Sequence, residues 1–264
     1  TDEIIVFDEH STDRTREIAK KFGAKVIEVD HEPIFHITKQ KAINKASGEW
    51  ILQLDADEII TPQLANEIKD VMQMSSEEIL TRENTDAYKS RLFERHTKAI
   101  VKRDGPIGKN NGEIAAFFIP RKNMFLGKPL IYAGVYPDPA IRLFKKGKAY
   151  LPAKSVHEIM QVDGQVAWLF NDMEHHDSPT LRRYFARLNR YTDLHAAELA
   201  GQKVGKSFWN LFIYSVIKPI LIFLKLFFRH KGFMDGMGGF LWSALSASHY
   251  PIAYYKYYTG GFKK

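Results

Sequence analysis

Between residues 3 and 75 the apolar positions follow two alternating patterns. "DEIIVFDE" is a short run of β-branched and aromatic residues between acids, the pattern of a buried strand. "STDRTREIAKKFGA" follows, with Ser11 or Thr12 placed to cap a helix and Gly23 to end it. "KVIEVD" reads as a second strand. "HITKQKAINKASG" reads as an amphipathic helix with Ile37, Ala42, Ile43 and Ala46 inward and Gly48 as its C-cap. "EWILQLDADE" is a third strand, and "TPQLANEIKDVMQMS" opens with Thr61 as a cap and Pro62 at the first helical position. This alternation predicts an α/β layer around a mainly parallel sheet. In such sheets ligands bind beyond the carboxyl ends of the strands. Asp8 and the pair Asp55 and Asp57 lie there, so the first strand is expected to bring Asp8 close to the acids of the third.

Farther along, residues 85 to 150 read as mixed strands and loops, in "DAYKSRLFER", "AAFFIPRKNMFL" and "PAIRLFKKGKAYL". Residues 178 to 200 read as a helix with Pro179 near its first turn. From 208 to 228 the text is "FWNLFIYSVIKPILIFLKLFF", in which 16 of 21 residues are apolar, long enough to raise a spanning helix. Lys218 and Pro219 at its centre argue against that. A Lys at mid-bilayer costs roughly 2.5–3.5 kcal/mol on insertion scales, and Pro breaks a helix interior. Two short helices lying in a membrane interface are expected instead. "RHKGF" adds basic anchors, and "YPIAYYKYYTGGFKK" adds aromatic residues of headgroup depth.

Charge sharpens this division. Residues 201–264 hold nine of the 38 Lys and Arg and one of the 31 Asp and Glu, a net of +8, which leaves −1 for residues 1–200. The same last quarter holds 16 of the 34 aromatic residues. The asymmetry predicts an anionic surface as partner for this segment. Cysteine is absent, which excludes a disulfide framework, a thiolate metal site and a Cys nucleophile, and fits a reducing compartment. The chain starts "TDEIIVFDEH", with no initiator Met and no signal-like segment, and enters a strand almost at once. Further residues are expected upstream.

The chemistry concentrates where the strands end. In a strand, residues i and i+2 share a face, so Asp55 and Asp57 can point into one site. Paired carboxylates suit a hard divalent cation, Mg²⁺ or Mn²⁺, and that cation suits a diphosphate. A solvated loop or a helix cap accounts for D-x-D equally well. Asp8 can accept hydrogen bonds from a base or a ribose, while Ser11, Thr12 and Asp13 fit a helix cap.

The segments "DEIIVFDEHSTDRT", "KQKAINKASGEWILQLDADE", "YPDPAIRLFKKGKA", "VHE" and "HHDSPTLRRYFARLNRYT" together resemble the inverting family 2 glycosyltransferases of the GT-A fold. Within that family they most resemble the bacterial lipopolysaccharide-core glucosyltransferase-like branch. The segments occur in the family's order and cover nearly the whole chain. The resemblance implies a Rossmann-like GT-A domain over residues 1–200, and charge and composition set a basic, aromatic-rich helical membrane-surface segment over 201–264. It also implies a strand and helix with an Asn-Glu element ahead of residue 1, supplying part of the nucleotide pocket.

The same resemblance implies roles. Asp8 matches the strand-end Asp that contacts the nucleotide's base. Asp55 is implied toward the ribose and Asp57 toward the metal. Lys39 stands where relatives usually carry Arg, near the nucleotide phosphates. Glu158, after His157 in "SVHEIM", is the implied general base. His175 faces the metal or the diphosphate, and Arg142 the phosphates or the acceptor. Glu9 and His10 stand where a small or acidic residue and Gly are common. The implied cofactor is Mg²⁺ or Mn²⁺, and the implied partners are a nucleotide-sugar donor and a glycan or glycolipid acceptor. The expected location is peripheral, on the cytoplasmic face of the inner membrane, with no nucleic acid bound.

Two other classes fit parts of the pattern. A nucleotidyltransferase on a similar sheet also uses acids and a metal, but a Gly-rich basic phosphate loop beside the first strand is not visible. A non-catalytic membrane-surface or nucleic-acid-binding module would need only the basic tail. Nucleic-acid binders usually spread basic residues over a folded face, whereas here they lie among lipid-like apolar runs.

Overall fold

The computed structural model describes residues 1–83, 86–152 and 159–262. The chain divides into two compact units. Thr1–Ala56, Ile60–Pro120 and Pro139–Met173 form one, and Asp57–Ile59, Arg121–Asp138 and Glu174–Lys264 the other. This division interleaves along the chain.

In the first unit the strand Ile5–Asp8 pairs in parallel with Lys25–Glu28, and the helix Thr15–Lys21 connects them. A four-stranded sheet runs in the order Gln165–Trp168, Ile114–Ile119, Ala140–Lys145, Trp50–Leu52. Its first pair is parallel and the other two are antiparallel. The expectation of a mainly parallel sheet is therefore corrected to a mixed one. Ala140–Lys145 runs antiparallel beside the third strand, Trp50–Leu52, and Ile114–Ile119 runs antiparallel beside Ala140–Lys145. Nor does a common sheet place Asp8 beside Asp55, because the first and third strands belong to separate sheets.

Every residue of Ile114–Ile119 is buried, and its alternation serves two layers. Phe117 and Ile119 join Leu64, Ile68 and Val71, one stripe of the helix Pro62–Val71. Ala116 and Phe118 join Ile43 of the helix Phe35–Lys45. Thr61 caps Pro62–Val71 as expected, its Oγ1 accepting from the Leu64 N–H at 3.2 Å. Neither Ser11 nor Thr12 caps Thr15–Lys21. Asp13 accepts from the Thr15 N–H at 2.9 Å, and the Ser11 N–H is turned to Asp8. Ala46, not Gly48, ends Phe35–Lys45.

"DAYKSRLFER" is helical and not a strand, within Ala87–Asp104. The Asp86 carboxylate accepts from the N–H groups of Tyr88 and Lys89 at 2.9 and 3.1 Å, which starts the helix. Leu92 and Phe93 are its buried face, and Phe93 stacks on Trp168 with centroids 4.3 Å apart.

The second unit carries a sheet in the order Glu58–Ile60, Met173–Ser178, Arg121–Phe125, Lys128–Leu130. Three helical stretches follow: Leu181–Gly201, the continuous run Phe208–Arg229 and Gly236–Thr259. Thr180 caps the first, accepting from the Arg183 N–H at 3.2 Å. Phe125, Leu130 and Tyr184 form one core cluster of this unit; Leu199, Tyr214, Tyr254 and Tyr257 belong to another.

The break expected at Pro219 does not occur. A π-helical turn, Ile213–Ile217, precedes it, and its wider register accommodates a residue without an N–H. Lys218 lies over the Tyr214 ring at 3.5 Å from the centroid, one turn back along the run. By length and composition the 22 residues Phe208–Arg229 can cross a membrane. Many of their side chains are exposed, among them Phe208, Trp209, Leu221 and Phe228.

Candidate active site

In the first unit three sequence-predicted residues meet. Asp55 lies 2.5 Å from Lys39 Nζ and 2.6 Å from Arg142 Nη2. The antiparallel register of Trp50–Leu52 with Ala140–Lys145 sets Gln53 opposite Arg142, and the Gln53 N–H bonds to the Arg142 carbonyl at 2.8 Å. Arg142 Nη1 donates to Gln53 Oε1 at 2.7 Å, and Gln53 Nε2 donates to Asp55 Oδ1 at 3.2 Å. Lys39 comes from the middle of the helix Phe35–Lys45. Burial pushes the Asp55 carboxyl up. Arg142 and Lys39, with the Lys39 and Gln53 hydrogen bonds, outweigh this and hold it below its ordinary value. Two cations around one carboxylate leave an excess of positive charge that suits a phosphate.

Asp8 is nearly fully buried at the end of its strand. It accepts from the Ser11 N–H at 3.0 Å and faces Arg16 Nε at 3.7 Å. The Ser11 hydroxyl bond, opposed by burial and aided by the Ser11 N–H and Arg16, holds its carboxyl low. His10 in this turn has φ +57°, in the left-handed region usually given to Gly. That is the position where the resembling family commonly carries Gly.

In the second unit Asp57, His175 and Asp177 each offer one ligand atom, all within 4.8 Å of one another. The His176 N–H bonds to the Asp57 carbonyl at 2.7 Å, which aligns Met173–Ser178 with the Asp57 segment. His175 and Asp177 are two apart on that strand and share a face. His175 Nε2 lies 3.7 Å from Asp57 Oδ1. Its Nδ1 donates to Asn123 Oδ1 at 2.6 Å, and Asn123 Nδ2 donates to Asp138 Oδ2 at 3.0 Å, which fixes the amide's orientation. Nε2 is thereby left with its lone pair toward the acids. Arg121 continues the network, reaching Asp138 at 2.9 Å and the buried Glu58 at 3.4 Å. Burial first, then Arg121, hold the His175 imidazole below its usual 6.5, against Asp57, Glu58 and Asp138.

Two carboxylates and a neutral imidazole fit Mn²⁺ well and Mg²⁺ less well. Arg183 Nη2 stands 3.7 Å from Asp57 Oδ2, and Arg187 pairs with Asp177. These guanidiniums balance the acids and compete with any cation that binds. Asp177 and Asn123 were missed from the sequence. The i, i+2 spacing of His175 and Asp177 was a usable signal, and nothing local marked Asn123. Glu158 lies outside the described residues.

Residues 1–124 match the family model "Glycosyl transferase family 2". The matched span is 124 of the chain's 264 residues. Beyond it, the chain is 28% identical over 260 residues to an uncharacterized glycosyltransferase of Rickettsia prowazekii, covering 94% of this chain and 74% of that protein. A second uncharacterized glycosyltransferase, from Rickettsia conorii, is 28% identical over 258 residues, with 94% and 77% covered. Among solved structures, S. aureus TarS 1–349 aligns with a TM-score of 0.32 at 14% identity, over 99% of this chain and 83% of that one. The domain match and the two relatives support an enzyme with glycosyltransferase activity. The domain's matched span contains Asp8, Lys39, Asp55 and Asp57, while Arg142, Glu158 and His175 lie beyond it.

Proposed function

We propose that this chain transfers a sugar, with inversion, from a nucleotide-sugar donor to a lipid-linked or cell-surface glycan, of the lipopolysaccharide-core type. The observation that carries this reading is the convergence of Asp57, the second acid of D-x-D, with His175 and Asp177. Asp57, His175 and Asp177 would hold Mn²⁺ or Mg²⁺, which as a Lewis acid offsets charge on the departing nucleoside diphosphate. Lys39 and Arg142 take up donor phosphate charge, Asp55 accepts from the ribose hydroxyls, and Asp8 accepts from the base. Glu158 removes the proton of the acceptor hydroxyl as that oxygen attacks the anomeric carbon opposite the leaving group. One displacement inverts the centre, and no covalent intermediate on the protein is needed.

The basic, aromatic C-terminal segment supports peripheral attachment to an anionic leaflet, at the cytoplasmic face of the inner membrane. Phosphate-seeking Lys and Arg are worth roughly 1 kcal/mol each near such a surface.

The test is a screen of nucleotide sugars for metal-dependent thermal stabilisation of the wild type and Asp57→Ala, followed by product analysis. Stabilisation that vanishes in the variant, with release of nucleoside diphosphate on turnover, supports the reading. Release of pyrophosphate would instead identify a nucleotidyltransferase. No response to any nucleotide sugar leaves a surface-binding module.

A further inference from the structure

Within the second unit a cavity of about 340 Å³ opens between two long helices. Leu181–Gly201 presents Tyr184, Leu188 and Tyr191 to it, at the spacing of one helix face. Gly236–Thr259 presents Trp242 and Ser246 from the facing side, and Ile222 of the run Phe208–Arg229 closes it. Its walls are mainly aromatic and aliphatic. The volume stands at the lower end for small-molecule sites, enough for a short chain segment or one ring.

Two features bear on the cavity's occupant. Arg187 lines it, lies 5.6 Å from the Tyr191 ring centroid, donates to Ser178 Oγ at 3.1 Å, and pairs with Asp177. Asp177 belongs to the acid–imidazole cluster. The cavity's guanidinium therefore touches a residue of the candidate metal centre. The helical run that carries Ile222 also bears exposed apolar residues: Leu221 is 59% and Leu224 45% accessible.

We propose that this cavity binds the first part of the apolar chain of a phosphate-headed amphiphile, with the phosphate on Arg187. The inference rests on the glycosyltransferase reading and narrows its acceptor to a lipid-linked one. Burial, followed by the nearby His195, holds His249 at the cavity wall below the usual imidazole range.

The test is calorimetric titration of the full chain with butyl, hexyl and octyl phosphate below their micelle-forming concentrations. Octanol, inorganic phosphate and methyl glucoside are the comparison ligands. Wild-type affinity rises about fourfold per added methylene, and Arg187→Gln weakens octyl phosphate but not octanol. Ser246→Phe and, independently, Leu188→Trp fill the cavity and flatten the chain-length series at least tenfold at octyl. Both variants keep metal-dependent nucleotide-sugar stabilisation. An undiminished series in two folded variants overturns the proposal, as does methyl glucoside binding that the same variants abolish. Failure of the wild type to bind any nucleotide sugar overturns the enzymatic reading and leaves the alkyl phosphate result to be judged separately.

Discussion

His175 Nδ1 lies 2.6 Å from Asn123 Oδ1, and the Asn123 amide is itself anchored on Asp138. The pair comes from two strands of one sheet, Met173–Ser178 and Arg121–Phe125. It settles which imidazole nitrogen faces Asp57. Partners of this kind typically shift metal affinity by about 10–100-fold when removed. Asn123→Ala is therefore expected to weaken Mn²⁺ binding by that factor with little loss of folded protein, measured by manganese titration against thermal midpoint. An unchanged manganese affinity would detach Asn123 from the metal site.

Asp55 predicts a pH dependence of stability. Its folded carboxyl titrates below the ordinary 3.8, so the folded state favours the ionised form. The stability it contributes is fully present above that ordinary value and is lost as pH falls through the lower folded value. Asp55→Asn leaves Lys39 and Arg142 facing each other, at an expected cost of about 1–3 kcal/mol near neutral pH. Urea unfolding at stepped pH should show the gap between wild type and variant closing only below about pH 4. A gap that closes near neutrality would contradict the assignment.

Gly239 marks a close crossing of backbone. A Cβ there would sit 1.8 Å from the Gly232 carbonyl oxygen. Gly239→Ala is expected to cost about 1–3 kcal/mol or more, lowering Tm by roughly 2–4 °C per kcal/mol. Gly201→Ala meets nothing within 4 Å and serves as the neutral control. Equal melting of the two variants would remove the crossing as a structural requirement.

Lys225, Arg229 and Lys231 are exposed beside the apolar run. Replacing all three by Gln should lower binding to phosphatidylserine-containing vesicles by about 100-fold, from roughly 1 kcal/mol per residue. High salt should weaken the wild type in the same direction. Sedimentation with vesicles across a salt series measures both. Salt-insensitive attachment that only denaturant reverses would point to a spanning helix instead.

Local patterns made much of this molecule legible. The strand–helix alternation from Ile5 to Val71, the Thr61–Pro62 start and the acids of "DADE" depend on neighbours within a few residues, and the sequence by itself determined them. So did the basic, aromatic character of the last quarter. Tertiary structure decided the rest. "DAYKSRLFER" folds as a helix whose buried Phe93 stacks on Trp168, 75 residues away. Asp55 and Asp57 are nearly adjacent in sequence, yet each acquires partners within a different unit: Arg142 for one, His175 for the other. Arg142 lies 87 residues from Asp55, and Asn123 lies 52 from His175. Strand pairing sets such distances. A hydrophobic period specifies which face a residue occupies, but not which distant strand lies opposite.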